Sequence, residues 1–141
     1  MQAILEAARS LPVITIGPHG QLVAEGASSG KLYILRSGDL EVLRDGSVVA
    51  AIADPGAIIG EISALLGKPH SATVRSRFGA DVHVVDDPDG FLDEHPAVAR
   101  HMAKSLALRL QKTTALLVDL RQQMKVREDH DLADKIFALL K

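Results

Sequence analysis

The chain has 141 residues, 47% of them hydrophobic, which is the size of one compact domain with a buried core. Its formal net charge of −2 gives no excess of positive charge to neutralise nucleic-acid phosphates, so direct nucleic-acid binding is not expected. Cysteine is absent, which excludes disulfides, thiolate metal sites and thiol catalysis.

The N-terminal residues, 1–10, predict a short helix, because Ile4, Leu5 and Ala8 recur at helical spacing before Pro12 ends the pattern. They lack the basic start and long apolar core of a signal peptide. No apolar run of the sequence reaches the length of a membrane span. We therefore expect a cytoplasmic protein.

Residues 11–86 contain short β-branched and apolar runs separated by Gly, Ser, Asp and Pro, a rhythm typical of antiparallel strands. The clearest runs are VITI, KLYILRS, DLEVLRD, SVVAAI, ATVRS and DVHVV. Asp45 and Gly46 lie between two of these runs and predict a tight hairpin. The pattern favours a barrel, roll or sandwich.

Residues 88–126 predict helices, with Pro96 near the start of a long one. Side chains along this helix recur in steps of four and three, which is the spacing of a heptad seam. The seam comprises Leu106, Leu110, Thr113, Leu117, Leu120 and Met124. It either packs on the strands of its own chain or meets a second copy. Because Val98, Met102 and Leu116 form a second apolar group that can face the strands, we expect a parallel homodimer. A last helix is predicted over 128–141.

One segment within the strand region, residues 56–74, carries a candidate binding site. Glu61 follows Gly60 at the expected start of a short helix, where free backbone N–H groups and the helix dipole attract an anion such as phosphate. Ser71 adds a hydroxyl donor, and the Glu61 carboxylate can accept a hydrogen bond from a sugar hydroxyl. The pattern suits a ligand with both ribose and phosphate. Alternatively, Glu61 only stabilises the first helical turn and Ser71 only caps a turn.

The stretch GEISALLGKPHSATV, residues 60–74, resembles the phosphate-binding cassette of cyclic nucleotide-binding domains. GQLVAEGASSGKLYILRSGDLEVL is similar to the first strands of that family, and RLQKTTALLVDL is similar to the central helix of its catabolite activator branch. The resemblance implies an α+β fold, namely an antiparallel, jelly-roll-like β-roll of about eight strands with an N-terminal helix, a short cassette helix and a long C-terminal helix. It implies a single domain over 1–141, with the β-roll at 11–86, the cassette at 56–74 and a dimerisation helix within 88–126.

The resemblance also implies the ligand, cAMP or cGMP, and its contacts. The ribose contact falls on Glu61, and backbone phosphate contacts fall near the start of the cassette helix. Hydroxyl residues that contact the purine, one of them across the dimer, match Thr113 and Thr114, which are otherwise ordinary helix residues. The complete implied set is Gly60, Glu61, Ile62, Ser63, His70, Ser71, Ala72, Thr113 and Thr114.

His70 departs from the family pattern, because it stands where the family has an arginine that grips the cyclic phosphate with a permanent charge and a planar fork of donors. A lost hydrogen bond to a charged group is worth about 1.5–3 kcal/mol, or roughly a 10- to 150-fold loss of affinity. Protonated His70 would recover part of the interaction, so affinity is expected to rise as the pH falls toward an imidazole pKa of about 6.5. Alternatively, His70 faces solvent in a disused pocket. Strand alternation places Arg75 and Arg77 away from the pocket, so neither is expected to replace the charge.

No enzyme activity and no metal site are predicted. The histidines, His19, His70, His83, His95, His101 and His130, are scattered singly rather than at metal-ligand spacing, and no Ser, His and Asp arrangement indicates nucleophilic catalysis. We expect a sensory or regulatory module in which bound cyclic nucleotide biases the C-terminal helices. The alternatives are a degenerate domain that binds no nucleotide and serves as a dimerisation or protein-interaction scaffold, and the sensor part of a transcription regulator, since no helix-turn-helix follows in the sequence.

Overall fold

The computed structural model describes residues 2–126 and 130–140. Its elements in chain order are α1 (Gln2–Ala8), β1 (Val13–Ile16), β2 (Gln21–Val23), β3 (Leu32–Gly38), β4 (Leu40–Arg44), β5 (Ser47–Ile52), β6 (Ile58–Ile59), α2 (Glu61–Leu66), β7 (Thr73–Arg75), β8 (Ala80–Val85), α3 (Pro88–Glu94), α4 (Pro96–Val126) and α5 (His130–Ala138). The predicted α+β fold is confirmed over the described residues, which form eight strands, an N-terminal helix, a short helix after β6 and a long C-terminal helix. The parts of the predicted terminal helix at 128, 129 and 141 lie outside the described residues.

The strands form two four-stranded sheets in which every pairing is antiparallel. The strand order is β1-β8-β3-β6 in the first sheet and β2-β7-β4-β5 in the second. Alternation along β8 sends Val82 and Val84 to one face and His83 to the other. Such alternation allows the sheets to bury one face each.

The core of the roll is made by buried side chains from both sheets. Burying one aliphatic side chain of this size contributes about 1.5–3 kcal/mol, so this cluster is the main stabilising element of the roll. Its members are Ile16, Val23, Tyr33, Leu35, Leu40, Ile59, Val74, Ala80, Val82 and Val84. The helix α1 packs against β3, and its side chains Ile4 and Ala8 are buried.

The hairpin between β4 and β5 turns at Asp45 and Gly46, as the sequence predicts. Both residues have positive φ angles, 51° and 80° respectively. Two positive φ values in succession match the right-handed twist of the flanking strands, and Asp-Gly adopts them readily. The turn sets the register in which Arg44 pairs with Ser47.

The described chain divides into two compact units, residues 1–99 and 100–141. In the first unit the side chain of Val98 is buried. In the second, Met102 is buried but Leu116 is 69% exposed. The expectation that Leu116 belongs to a buried apolar group with Val98 and Met102 is therefore wrong, because its side chain is largely exposed.

Candidate functional site

Within the candidate site, residues 56–74, the chain passes from β6 into α2 through Gly60. This glycine has a φ of +92°, in the left-handed region that strains any residue with a Cβ. A Cβ built on it would lie 2.9 Å from the carbonyl oxygen of Lys31, which is closer than real Cβ atoms approach. Glycine is therefore required here by conformation and by space.

The first turn of α2 carries backbone N–H groups that the helix itself leaves unbonded. The first N–H to donate back along the helix is that of Ala64, to the carbonyl oxygen of Gly60 at 3.0 Å. For the N–H groups before Ala64 in this turn, including those of Ile62 and Ser63, the helix has no earlier turn that could supply a carbonyl acceptor. Among the described residues no side chain caps this end. The helix start predicted at Glu61 is confirmed.

The loop between β2 and β3 contacts the cassette helix α2 at Ser63. The Ser63 side chain is buried, and its hydroxyl oxygen accepts a hydrogen bond from the backbone N–H of Gly30 at 3.4 Å. In the same loop, the Lys31 N–H donates to the hydroxyl oxygen of Ser29 at 3.3 Å. The loop is thus tied to the cassette helix by backbone and hydroxyl groups.

His70 is held inside this arrangement on both its backbone and its side chain. Its N–H donates to the carbonyl oxygen of Ala27 at 2.8 Å, and its own carbonyl oxygen accepts from Gly26 N–H at 2.9 Å. The imidazole Nε2 lies 3.0 Å from the hydroxyl of Ser29, within hydrogen-bond distance. Only 6% of the residue is exposed. The alternative of a solvent-facing His70 is therefore wrong, because the β2–β3 loop covers the ring.

Burial also changes the titration of His70. Removing the imidazole from water disfavours its charged form, so desolvation lowers the pKa below the ordinary value of 6.5. At neutral pH the ring is therefore uncharged and supplies no fixed positive charge. Because the ring of the free protein takes up a proton less readily than an exposed imidazole, any gain in phosphate affinity from protonation is moved to a lower pH than the sequence alone suggests.

The two arginines on the strand after His70 are engaged elsewhere, as strand alternation predicts. Arg75 Nε and Arg77 Nη1 each lie 3.3 Å from a carboxylate oxygen of Glu41. The Glu41 side chain is only 8% exposed, whereas the side chains of Arg75 and Arg77 are 43% and 55% exposed. Arg75 and Val74 point to opposite faces, and Val74 belongs to the core. Both arginines therefore serve the outer face of the second sheet.

The remaining predicted site residues fall into two groups. Ser71 and Ala72 are half-buried in the segment between α2 and β7, and Ile62 is exposed on α2. All candidates from Gly60 to Ala72 lie in the first unit. Thr113 is exposed and Thr114 is half-buried on α4, in the second unit.

Ser29 is the site residue that the sequence analysis missed. It lies between glycines in the stretch GASSGK, which has the composition of an ordinary polar loop. Its partner His70 is 41 positions away. No local spacing could have connected the two.

Among residues 2–126 and 130–140 there is no grouping of His, Asp and Glu that could hold a metal ion. None of the helices described there is both long and apolar enough to cross a membrane.

Comparison with known proteins decides the family. The family model of the cyclic nucleotide-binding domain matches residues 14–86, which is more than half of the chain and includes all of residues 56–74. The chain belongs to the cyclic nucleotide-binding domain family. Domains of this family are regulatory rather than catalytic. Among curated proteins no sequence match was found.

Solved structures of this cyclic nucleotide-binding fold are similar over most of the chain. The catabolite activator protein of Thermus thermophilus has 22% identity and a TM-score of 0.73, over 84% of this chain and 59% of its own. The N-terminal domain of a transcriptional regulator from Streptomyces coelicolor has 25% identity and a TM-score of 0.58, over 82% of this chain and 85% of its own. A structure from a cyclic-GMP-dependent signalling pathway of bacterial phytopathogenesis has 19% identity and a TM-score of 0.65, over 79% of this chain and 93% of its own. The chain spans only about three fifths of the Thermus protein, 59%.

Proposed function

We propose that this cyclic nucleotide-binding domain is a non-enzymatic regulatory module whose cassette binds cAMP or cGMP. The observation that carries the proposal is the Gly60 turn, where a glycine with a φ of +92° lies beside the carbonyl oxygen of Lys31 with no room for a Cβ and leads directly into the first turn of α2. The first turn of a helix directs its backbone N–H groups outward along the helix axis. Such groups can donate to phosphate oxygens without any charged side chain. Membership of the family supplies the ligand class.

Each predicted site residue has a role in this proposal. The N–H groups of Glu61, Ile62 and Ser63 donate to the phosphate, and the Ser71 hydroxyl adds a further donor. The Glu61 carboxylate accepts from a ribose hydroxyl. Gly60 and Ala72 leave space for the ligand, and Thr113 and Thr114 contact the purine. His70, neutral at pH 7, contributes at most one uncharged hydrogen bond.

The proposed output is a change in the C-terminal helices. Ligand held at the cassette favours one arrangement of α2 and the helices that follow, and so shifts the population of a pre-existing state. We further propose a homodimer through the α4 seam, in which Thr113 of one copy lies close to the other. Exposure of Leu110, 60%, supports a seam that is available to a second copy.

The state of His70 favours a second candidate function. A neutral ring hydrogen-bonded to Ser29 leaves the cassette without the charge-assisted contact of an arginine. The fold would then serve as a dimerisation or protein-interaction scaffold that binds no nucleotide.

Calorimetric titration with cAMP and cGMP separates the two functions. We expect native protein to bind one of them, and His70→Arg to bind about 10- to 150-fold more tightly, because a hydrogen bond to a charged group is restored. His101→Arg, which adds the same charge on α4, is the matched control and should leave affinity unchanged. Thermal unfolding verifies that each variant is folded.

The outcomes lead to different conclusions. If native protein shows no measurable binding and His70→Arg binds, the pocket is intact except for this residue and the natural ligand is not a cyclic nucleotide. If neither native protein nor His70→Arg binds a cyclic nucleotide although both are folded, the ligand-binding proposal is overturned and the scaffold function is favoured.

A further inference from the structure

The second unit contains a contact between α4 and α5 that the proposed function does not use. Arg121 Nη2 lies 2.9 Å from a carboxylate oxygen of Asp134, and the Arg121 guanidinium lies 4.9 Å from the ring centroid of Phe137. One arginine thus makes an ion pair and a cation–π contact with the same short helix. These contacts place α5 back along α4, as in a helical hairpin.

Apolar side chains from both helices line a cleft beside this contact. Two of them come from α5 and three from consecutive turns near the end of α4, and Arg121 completes the lining. The lining residues are Leu117, Leu120, Arg121, Met124, Ile136 and Phe137.

The α4 side of this cleft coincides with half of the heptad seam. Leu117, Leu120 and Met124 are its last three positions, whereas Leu106, Leu110 and Thr113 are the first three. The cleft therefore joins α5 to the C-terminal half of the seam, whereas Leu110 in the other half is 60% exposed. A coiled-coil dimer needs each seam side chain to enter a hole on the facing helix. A seam residue covered by α5 cannot do this at the same time.

The cover provided by α5 is also incomplete. Leu120 remains 43% exposed with α5 in place. A second copy of α4 could extend along all six seam positions and remove more apolar surface from water, which is the driving force for association. The two occupants of the C-terminal half therefore differ in how much of the seam they can cover.

We propose that α5 is an intramolecular cap on the seam, and that α5 and a second copy of this chain compete for Leu117, Leu120 and Met124. This inference rests on the proposed homodimer but is independent of nucleotide binding. Dimerisation then requires α5 to leave its site on α4, so any event that displaces α5 strengthens the dimer. The cap sets the concentration at which the module pairs.

Analytical ultracentrifugation of the full chain tests the competition. Phe137→Ala removes the ring under Arg121 without touching the seam, and it should tighten the dimer Kd by about tenfold, equivalent to about 1.4 kcal/mol. Leu139→Ala is the matched control, because this side chain is 85% exposed and does not line the cleft. Its Kd should equal that of the native chain.

A second pair of variants verifies that the dimer uses the seam. Leu110→Glu places a charge at a seam position outside the cleft and should abolish the dimer. Leu108→Glu, at a position 56% exposed and off the seam, should not. If Phe137→Ala leaves the Kd unchanged or weakens it while Leu110→Glu abolishes the dimer, the competition is overturned and the dimer stands. If native protein and Phe137→Ala are both monomeric at all concentrations, both proposals are overturned, whatever calorimetry finds for cAMP.

Discussion

His70 is one of the proposed ligand-binding residues, and its surroundings are those of a structural residue. Its ring is buried, hydrogen-bonded to Ser29 and covered by the loop that Gly26 and Ala27 tie to its backbone. An arginine at this position would bring a permanent charge that needs a partner. A neutral imidazole needs only one hydrogen bond, so the same position can stabilise the domain before any ligand arrives.

The lowered pKa of His70 makes the domain less stable in acid. Because the folded-state pKa lies below the unfolded value of about 6.5, the unfolded chain binds the proton more readily between those two values. The contribution of the neutral His70 ring to the free energy of unfolding is therefore fully present above about pH 6.5, and it is lost as the pH falls through the lower folded-state pKa. We expect urea unfolding from about pH 7.5 to about pH 5 to show a steeper loss of unfolding free energy for native protein than for His70→Gln, which cannot titrate.

Ser29→Ala separates burial from hydrogen bonding in that experiment. It removes the partner of the ring but leaves the burial that lowers the pKa, so the pH dependence should remain while the unfolding free energy falls by about 0.5–1.5 kcal/mol at every pH. If the unfolding free energy of native protein and of His70→Gln changes equally with pH, the lowered pKa of His70 is contradicted.

At the scale of the element, the entry into α2 depends on one backbone conformation. Gly60 and Gly67 begin and end this helix, and both have positive φ angles, 92° and 65°. They differ in their surroundings, because a Cβ on Gly67 would meet nothing within 4 Å, whereas one on Gly60 would press on Lys31. The two glycines are thus a matched pair within one helix.

Substituting each glycine by alanine measures what the close approach contributes. Gly67→Ala should cost about 1–2 kcal/mol of unfolding free energy, the cost of a left-handed residue with a Cβ. Gly60→Ala should cost roughly 1–3 kcal/mol more, because the β2–β3 loop or the helix must move. Urea unfolding of both variants gives the difference. Equal losses would mean that the loop yields freely and that glycine is needed at position 60 for its φ angle alone.

At the scale of the whole molecule, the two units differ in how much surface they bury. Leu32 and Leu35 of β3 are almost completely buried, whereas Leu108, Leu110 and neighbouring positions of α4 are exposed. Segments with few buried contacts open at lower free energy. Amides of residues 104–120 should therefore exchange with deuterium faster than those of β3 and β8.

Protein concentration should change only one of these exchange rates. If a second copy covers the seam, protection of residues 104–120 increases with concentration while protection of β3 remains constant, which serves as the internal control. Hydrogen exchange followed by mass spectrometry at several concentrations measures both. Protection of residues 104–120 that is the same at every concentration would contradict the dimer.

Much of this architecture could be predicted from the sequence, where the determinants are local. Asp45 and Gly46 predicted their hairpin, Pro96 the start of α4, and Glu61 the start of α2, because each signal needs only a few neighbouring residues. The strand β6, Ile58–Ile59, was missed because two residues carry no measurable period.

The contacts that define the candidate site could not be predicted in this way. Ser29 meets His70 across 41 positions, and Arg75 meets Glu41 across 34. Each pair depends on which strands become neighbours, and that is decided by the packing of the whole roll. The family resemblance located the cassette, but the burial of His70 required the fold.

Tyr33 has an optical consequence. It is the chain's single tyrosine, the sequence has no tryptophan, and its buried ring lies beside Gly60, its Cδ2 being 3.7 Å from a Cβ built there. Ultraviolet emission above the phenylalanine range therefore comes from one side chain at the edge of the cassette. A displacement of the Gly60 turn changes the surroundings of that one fluorophore, so the unlabelled protein reports directly on its own cassette.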